Sequence, residues 1–216
     1  MVSRCAPLAV LCSLMVLSSC SQSEPRIPYG IIRLVYYQGS ARPEERFSFF
    51  IIAEDDDGIE NLDELYLYHD REGLRWLLSA EDWVSFEEEG TTWIGSRSIA
   101  MIDNERLPRG QYRAVLVNKG GERIERTFSF DAPENPRYPF PTFTISEGQY
   151  TIGSKYPEHF LICYDGEGNF LKTISVTTFE GTFSKLGLPS GAKTVALWAE
   201  DDEYYTAAFT NSIPIR

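Results

Sequence analysis

Past residue 30 the apolar side chains recur at every second position, and no long stretch keeps the 3.6-residue spacing of an amphipathic helix. Successive side chains on an extended strand point to opposite faces, so this spacing commits the chain to sheets with one face turned inward. The clearest runs are Arg46 to Ile52, Leu65 to His69, Gln111 to Val117 and Thr194 to Trp198. Each is rich in β-branched and aromatic residues and is bounded by Gly, Asp, Asn or Pro, which end strands and open turns. Asn118-Lys119-Gly120-Gly121 joins the run at Gln111 to Arg123 through Phe128. Its glycines permit the positive φ of a tight turn, which predicts a hairpin there.

One composition shift divides the chain. Four prolines fall between Ala132 and Pro141, where they remove ladder donors and favour extended backbone. The segment 132–141 is therefore a linker between a first domain, 29–131, and a second, 142–216, both of acceptable domain size. The two share landmarks. Leu107-Pro108-Arg109-Gly110 before one strand recurs as Leu188-Pro189-Ser190-Gly191, and Asp70-Arg71-Glu72-Gly73 after another recurs as Asp165-Gly166-Glu167-Gly168. The spacing between landmarks makes the first domain about fourteen residues longer, and the surplus lies within Leu74 to Leu107.

Short strands with turns every 8 to 12 residues favour a β-sandwich. The Leu-Pro-x-Gly stretch followed by a strand resembles the E–F corner and F strand of fibronectin type III and immunoglobulin-like domains. That resemblance implies that Tyr112 is a tyrosine corner whose hydroxyl ties the loop down. In the second domain Lys193 and Thr194 stand where that tyrosine is expected, and both domains lack the immunoglobulin cysteine pair. The expected fold is all-β, two tandem immunoglobulin-like β-sandwich domains after a cleaved signal peptide.

The signal is read from residues 1–19. Arg4 supplies a positive charge, and Ala6 to Leu17 form an apolar run of 12 residues, against the roughly 20 that a spanning helix needs. Leu17, Ser18 and Ser19 precede Cys20, and this order resembles the lipobox of bacterial lipoproteins. The resemblance implies cleavage before Cys20, acylation of that cysteine, and a lipidated tether over 20–28. Cys5 and Cys12 leave with the signal, so Cys163 is the one remaining thiol and a disulfide is excluded. In texture the chain is similar to envelope lipoproteins of spirochaetes.

From Cys20 onward 19 basic residues face 32 acidic ones, a net charge of −13, which repels nucleic acid and anionic headgroups. The membrane partner is reached through the N-terminal lipid, and the other partner is an envelope protein or glycan. Two candidate sites follow. The acidic stretch Glu54 to Glu64 places Asp55, Asp57 and Glu64 at positions 3, 5 and 12 of an EF-hand-like loop, which suits calcium. Ala53 at position 1 and Glu60 at position 8 depart from that template. Trp76, Trp83 and Trp93 cluster in the surplus of the first domain, where indole faces serve sugars, peptides or partner hot spots.

His69 and His159 are read as surface or strand-end histidines, with no elbow serine, metal-spaced histidine or phosphate loop beside them. The expected protein is a non-enzymatic binding or structural module, lipid-anchored in a bacterial envelope. A calcium-dependent or carbohydrate-binding adhesin and a glycan-directed hydrolase are the alternatives, the latter without a local signature for its carboxylate pair.

Overall fold

Each alternating run named above is a strand in the computed structural model, which describes residues 23–215. Cys20 and the signal segment lie outside the described residues. The first half forms β1 (Gly30–Tyr37), β2 (Glu44–Ile52), β3 (Leu62–His69), β4 (Leu74–Ser79), β5 (Val84–Glu88), β6 (Thr91–Ile99), β7 (Gly110–Asn118) and β8 (Arg123–Phe130). After the proline-rich segment come β9 (Thr142–Ser146), β10 (Gln149–Gly153), β11 (Glu158–Tyr164), β12 (Phe170–Ser175), β13 (Glu180–Thr182), β14 (Thr194–Asp201), β15 (Thr206–Phe209) and β16 (Ile213–Pro214). The helical pieces among the described residues are single 3-10 turns.

Two sandwiches result. In the first, the sheet β4-β3-β7-β8 packs over β1-β2-β6-β5. In the second, β13-β10-β9 packs over β12-β11-β14-β15, with β16 beside β14. This is the immunoglobulin-like arrangement that the turn spacing predicted. The surplus of the first half is β5, which pairs with β6 at the sheet margin, from Val84↔Gly95 to Glu88↔Thr91.

Alternation explains the two cores. Phe47, Phe49 and Ile51 of β2 point inward to meet Leu65 and Leu67 of β3 and Tyr112, Ala114 and Leu116 of β7. Phe47 lies edge-on to Tyr112 at 5.0 Å and to Phe130 at 4.6 Å. Truncating such a ring typically removes about 3–5 kcal/mol. The second core gathers Leu161 and Cys163 of β11 and Val195 and Leu197 of β14 beneath Tyr150 and Ile152 of β10. Burial raises the Cys163 thiol above its ordinary range, as befits a packed side chain.

The shared landmarks occupy equivalent places. Asp70 to Gly73 turns β3 into β4, and Asp165 to Gly168 turns β11 into β12. Tyr112 is a tyrosine corner: its hydroxyl donates to the Pro108 carbonyl at 2.6 Å. Arg109, two residues on from Leu107, forks onto the buried carboxylate of Glu45 at 2.8 and 3.1 Å and donates to the Ala132 and Pro133 carbonyls. The β7–β8 hairpin closes with Gly121 at φ 86°, while Asn118 Oδ1 accepts the Gly120 and Glu122 amides at 3.0 Å.

The sandwiches are joined by more than the prolines. Strand β1 pairs in parallel with β15, from Leu34↔Thr206 to Tyr37↔Phe209, so one sheet runs β12-β11-β14-β15-β1-β2-β6-β5 across both halves. Tyr156, Ala199 and Ala208 of the second half join the first core. The proline-rich segment is itself fastened over this seam, because Tyr138 donates to the buried Asp201 at 2.6 Å and Arg137 lies 3.6 Å from the Tyr204 ring centre.

Candidate ligand groove

A sheet that continues across two sandwiches has an outer face larger than either supplies alone. Cross-strand partners share a face, which places Thr173, Ile162, Phe160, Trp198, Phe209, Tyr37, Ser48 and Phe50 on one side of it. A groove of about 380 Å³ opens on that face, lined also by Tyr164, Glu200, Arg97 and Phe86. All eight strands along the sheet contribute to it.

The rings brace one another. Tyr37 meets Phe209 edge-on at 5.4 Å, Trp198 meets Phe209 at 5.8 Å, and Phe50 meets Phe86 at 5.4 Å. Arg46 covers Tyr37 from 4.5 Å while its guanidinium is held by Glu44 and Ser98. The Tyr37 hydroxyl donates to the Arg97 carbonyl at 3.2 Å, and burial raises its pKa despite the nearby arginines. Gly95 lets the backbones of β6 and β2 come together under Phe50, since a Cβ there would meet the Phe49 carbonyl oxygen at 2.0 Å.

The groove's single carboxylate is engaged. Glu200 accepts from Trp198 Nε1 at 2.7 Å and from Arg33, which also pairs with Asp202. Burial raises the Glu200 pKa, and Arg33 and the indole hydrogen bond pull it back. Glu158, Glu200 and Asp202 offer oxygens within 4.8 Å of one another, but the Arg33 guanidinium already occupies two of the three. By contrast, the Arg97 side chain has no ion pair or hydrogen bond among the described residues. The hydroxyls of Ser48, Thr173 and Tyr164 also lack partners among them.

The predicted tryptophan patch does not form as such. Trp76 and Trp83 pack against the first core, and Trp76 Nε1 donates to the Ala100 carbonyl at 3.0 Å. Trp76 lies on β4 and Trp83 in the turn before β5, and both are partly buried against that core. Trp93 points to the outer face instead, stacked on Phe86 at 6.3 Å and edge-on to Tyr29 at 6.0 Å. It supports a lining residue from behind. Trp198, which does line the groove, was legible only as part of a strand. The signal that could have found it is Phe160-Leu161-Ile162-Cys163-Tyr164, where both faces of the strand paired with it are apolar.

Asp55, Asp57 and Glu64 do not assemble into a calcium loop. Asp55 accepts from Ser23 Oγ at 3.1 Å, the Asp57 amide at 2.8 Å and Asn61 Nδ2 at 3.2 Å, while Asp57 accepts from the Ser23 amide at 2.9 Å. Glu64 has left for β3, where Tyr66 donates to it at 2.7 Å. The acids act as a clamp on residues 23–27, with Arg26 spanning Glu54 and Asp56 and pairing its backbone with Glu54. Pro25 and Ile27 are buried, so this part of the predicted tether is laid against the body.

Both histidines end up buried. His69, 1% exposed, donates from Nε2 to the Arg109 carbonyl at 3.2 Å and tilts against Tyr112. His159, 7% exposed, sits edge-on to Phe179 at 5.2 Å, and burial lowers its pKa.

No protein-family model matches the sequence, and no curated protein matches it. Among solved structures, the BSP domain of a biofilm-associated protein aligns with 77% of this chain at 14% identity and a TM-score of 0.28. Tp47, the 47-kilodalton lipoprotein of Treponema pallidum, aligns with 90% at 11% identity and a TM-score of 0.32. The fibronectin(III)-like modules of CbhA from Clostridium thermocellum align with 89% at 12% identity and a TM-score of 0.23. This chain spans 26%, 50% and 94% of those three chains, respectively.

Proposed function

We propose that this protein is a lipid-anchored cell-envelope protein that serves as a non-enzymatic binding module, taking its ligand in the aromatic groove on the shared sheet. The observation that carries the reading is that the groove is assembled by both sandwiches at once. Its volume, aromatic lining and few polar groups suit ligand recognition. Its one carboxylate is held by Arg33 and Trp198, which suits a positioning role better than proton transfer. Anchoring rests on the run before Cys20, and the chain's acidic charge makes acyl chains, in place of a basic face, the means of attachment.

Two measurements test this. Radioactive palmitate should label the full-length protein and fail to label Cys20→Ser. Fluorescence titration of the chain from Ser21 onward, against a panel of oligosaccharides and extended peptides, should find a ligand whose binding is lost in Trp198→Ala. A panel without a single ligand, or binding untouched by Trp198→Ala, refutes the groove as the site.

A further inference from the structure

The groove's chemistry goes further than binding in general. Its rings offer flat apolar surfaces, yet three unpartnered hydroxyls, Ser48, Thr173 and Tyr164, and one unpaired guanidinium, Arg97, stand among them. An acyl chain or other hydrocarbon would strip water from these four groups and return nothing. A peptide adding itself as a strand needs a sheet edge, and this groove lies on a face whose backbone groups are already paired. Pyranose rings fit both requirements, because they carry C–H faces for the aromatic planes and hydroxyl edges for the polar groups.

Charge narrows the class. Of the two charged residues that line the groove, Glu200 is engaged by Arg33, which it shares with Asp202, and Arg97 has no partner among the described residues, in a chain of net charge −12. Its planar fork matches a carboxylate in two-point contact. The overall negative charge repels a densely anionic polymer, which favours carboxylates spaced widely along the ligand. Resting on the binding-module reading above, we propose that the groove takes an acidic oligosaccharide, with Arg97 gripping a uronate carboxylate while Trp198, Phe209 and Tyr37 receive the sugar faces.

The test uses a panel of uronate-containing hexasaccharides, each paired with its carboxyl-reduced form, and a proline-rich peptide as the competing class. At least one acidic hexasaccharide should bind about tenfold more tightly than its reduced form. Arg97→Ala should shrink that difference to less than about twofold, whatever it costs the reduced form, and Trp198→Ala should weaken both forms. Arg97 is exposed and unpartnered, so its variant should melt like the parent chain. Equal affinity for acidic and reduced forms overturns the acidic class and leaves a binding groove standing. Peptide binding without sugar binding overturns the carbohydrate ligand but keeps the module. If no member of the panel binds, both this proposal and the reading beneath it fall.

Discussion

Replacing Tyr112 by phenylalanine removes one oxygen from the first sandwich and leaves its packing in place. The ring stays against Phe47 at 5.0 Å, Phe130 at 6.0 Å and Trp76 at 6.1 Å, so no cavity opens. What disappears is the 2.6 Å hydrogen bond to the Pro108 carbonyl, in a side chain that is fully buried. A hydrogen bond of this kind is worth about 1 kcal/mol net, and an acceptor left without a partner adds up to about 1–3 kcal/mol. Pro108 is only half-buried and water can reach its loop, which holds the expected loss to about 1–2 kcal/mol. For a chain of this size that lowers the melting midpoint by roughly 2–8 °C. Urea unfolding followed by tryptophan fluorescence, with calorimetry to establish that the shared sheet melts in one transition, measures it. Tyr66→Phe is the control, since it removes a hydroxyl that is bonded to Glu64 on the exposed side of β3. A Tyr112→Phe loss below about 0.5 kcal/mol, or one no larger than the control, would refute the corner as a fastening of the fold.

Four further outcomes are expected. Arg109→Ala strands the Glu45 carboxylate, 6% exposed, and should destabilise the chain by about 3–5 kcal/mol in the same assay, whereas Arg71→Ala at an exposed pair should change it by less than about 1 kcal/mol. Burial depresses the His159 pKa, so the unfolded chain takes up this proton first; stability should fall as pH drops below about 6.5, and His159→Phe should flatten that slope. Asp57→Ala, which releases the Ser23 amide and hydroxyl, should speed hydrogen exchange at the Arg26 amide at least tenfold while β3 keeps its protection. Millimolar calcium should leave the melting midpoint unmoved, because Asp55 and Asp57 already hold hydrogen-bond donors; a rise of several degrees would restore the loop as a metal site.

Strands, the β7–β8 hairpin and the Tyr112 corner were legible because each rests on local chemistry, namely alternation, glycine at positive φ and a tyrosine after Leu-Pro-x-Gly. The pairing of β1 with β15 was not, since nothing in Leu34 to Tyr37 names a partner about 170 residues away. The groove followed from that pairing and was therefore hidden with it. Acidic residues misled for a related reason. Spacing along the chain counts oxygens, and it does not reveal that Ser23, Asn61 and Asn118 arrive from elsewhere to use them.

The clamp at Ser23 bears on the proposed anchor. With Cys20 acylated as proposed, two residues separate it from Ser23, the first fastened residue, and three extended residues reach at most about 11 Å. That is about a third of the thickness of the hydrocarbon layer below. On that proposal the lipid can stand no further than this from the clamp, so the body would be held close against the surface that carries it.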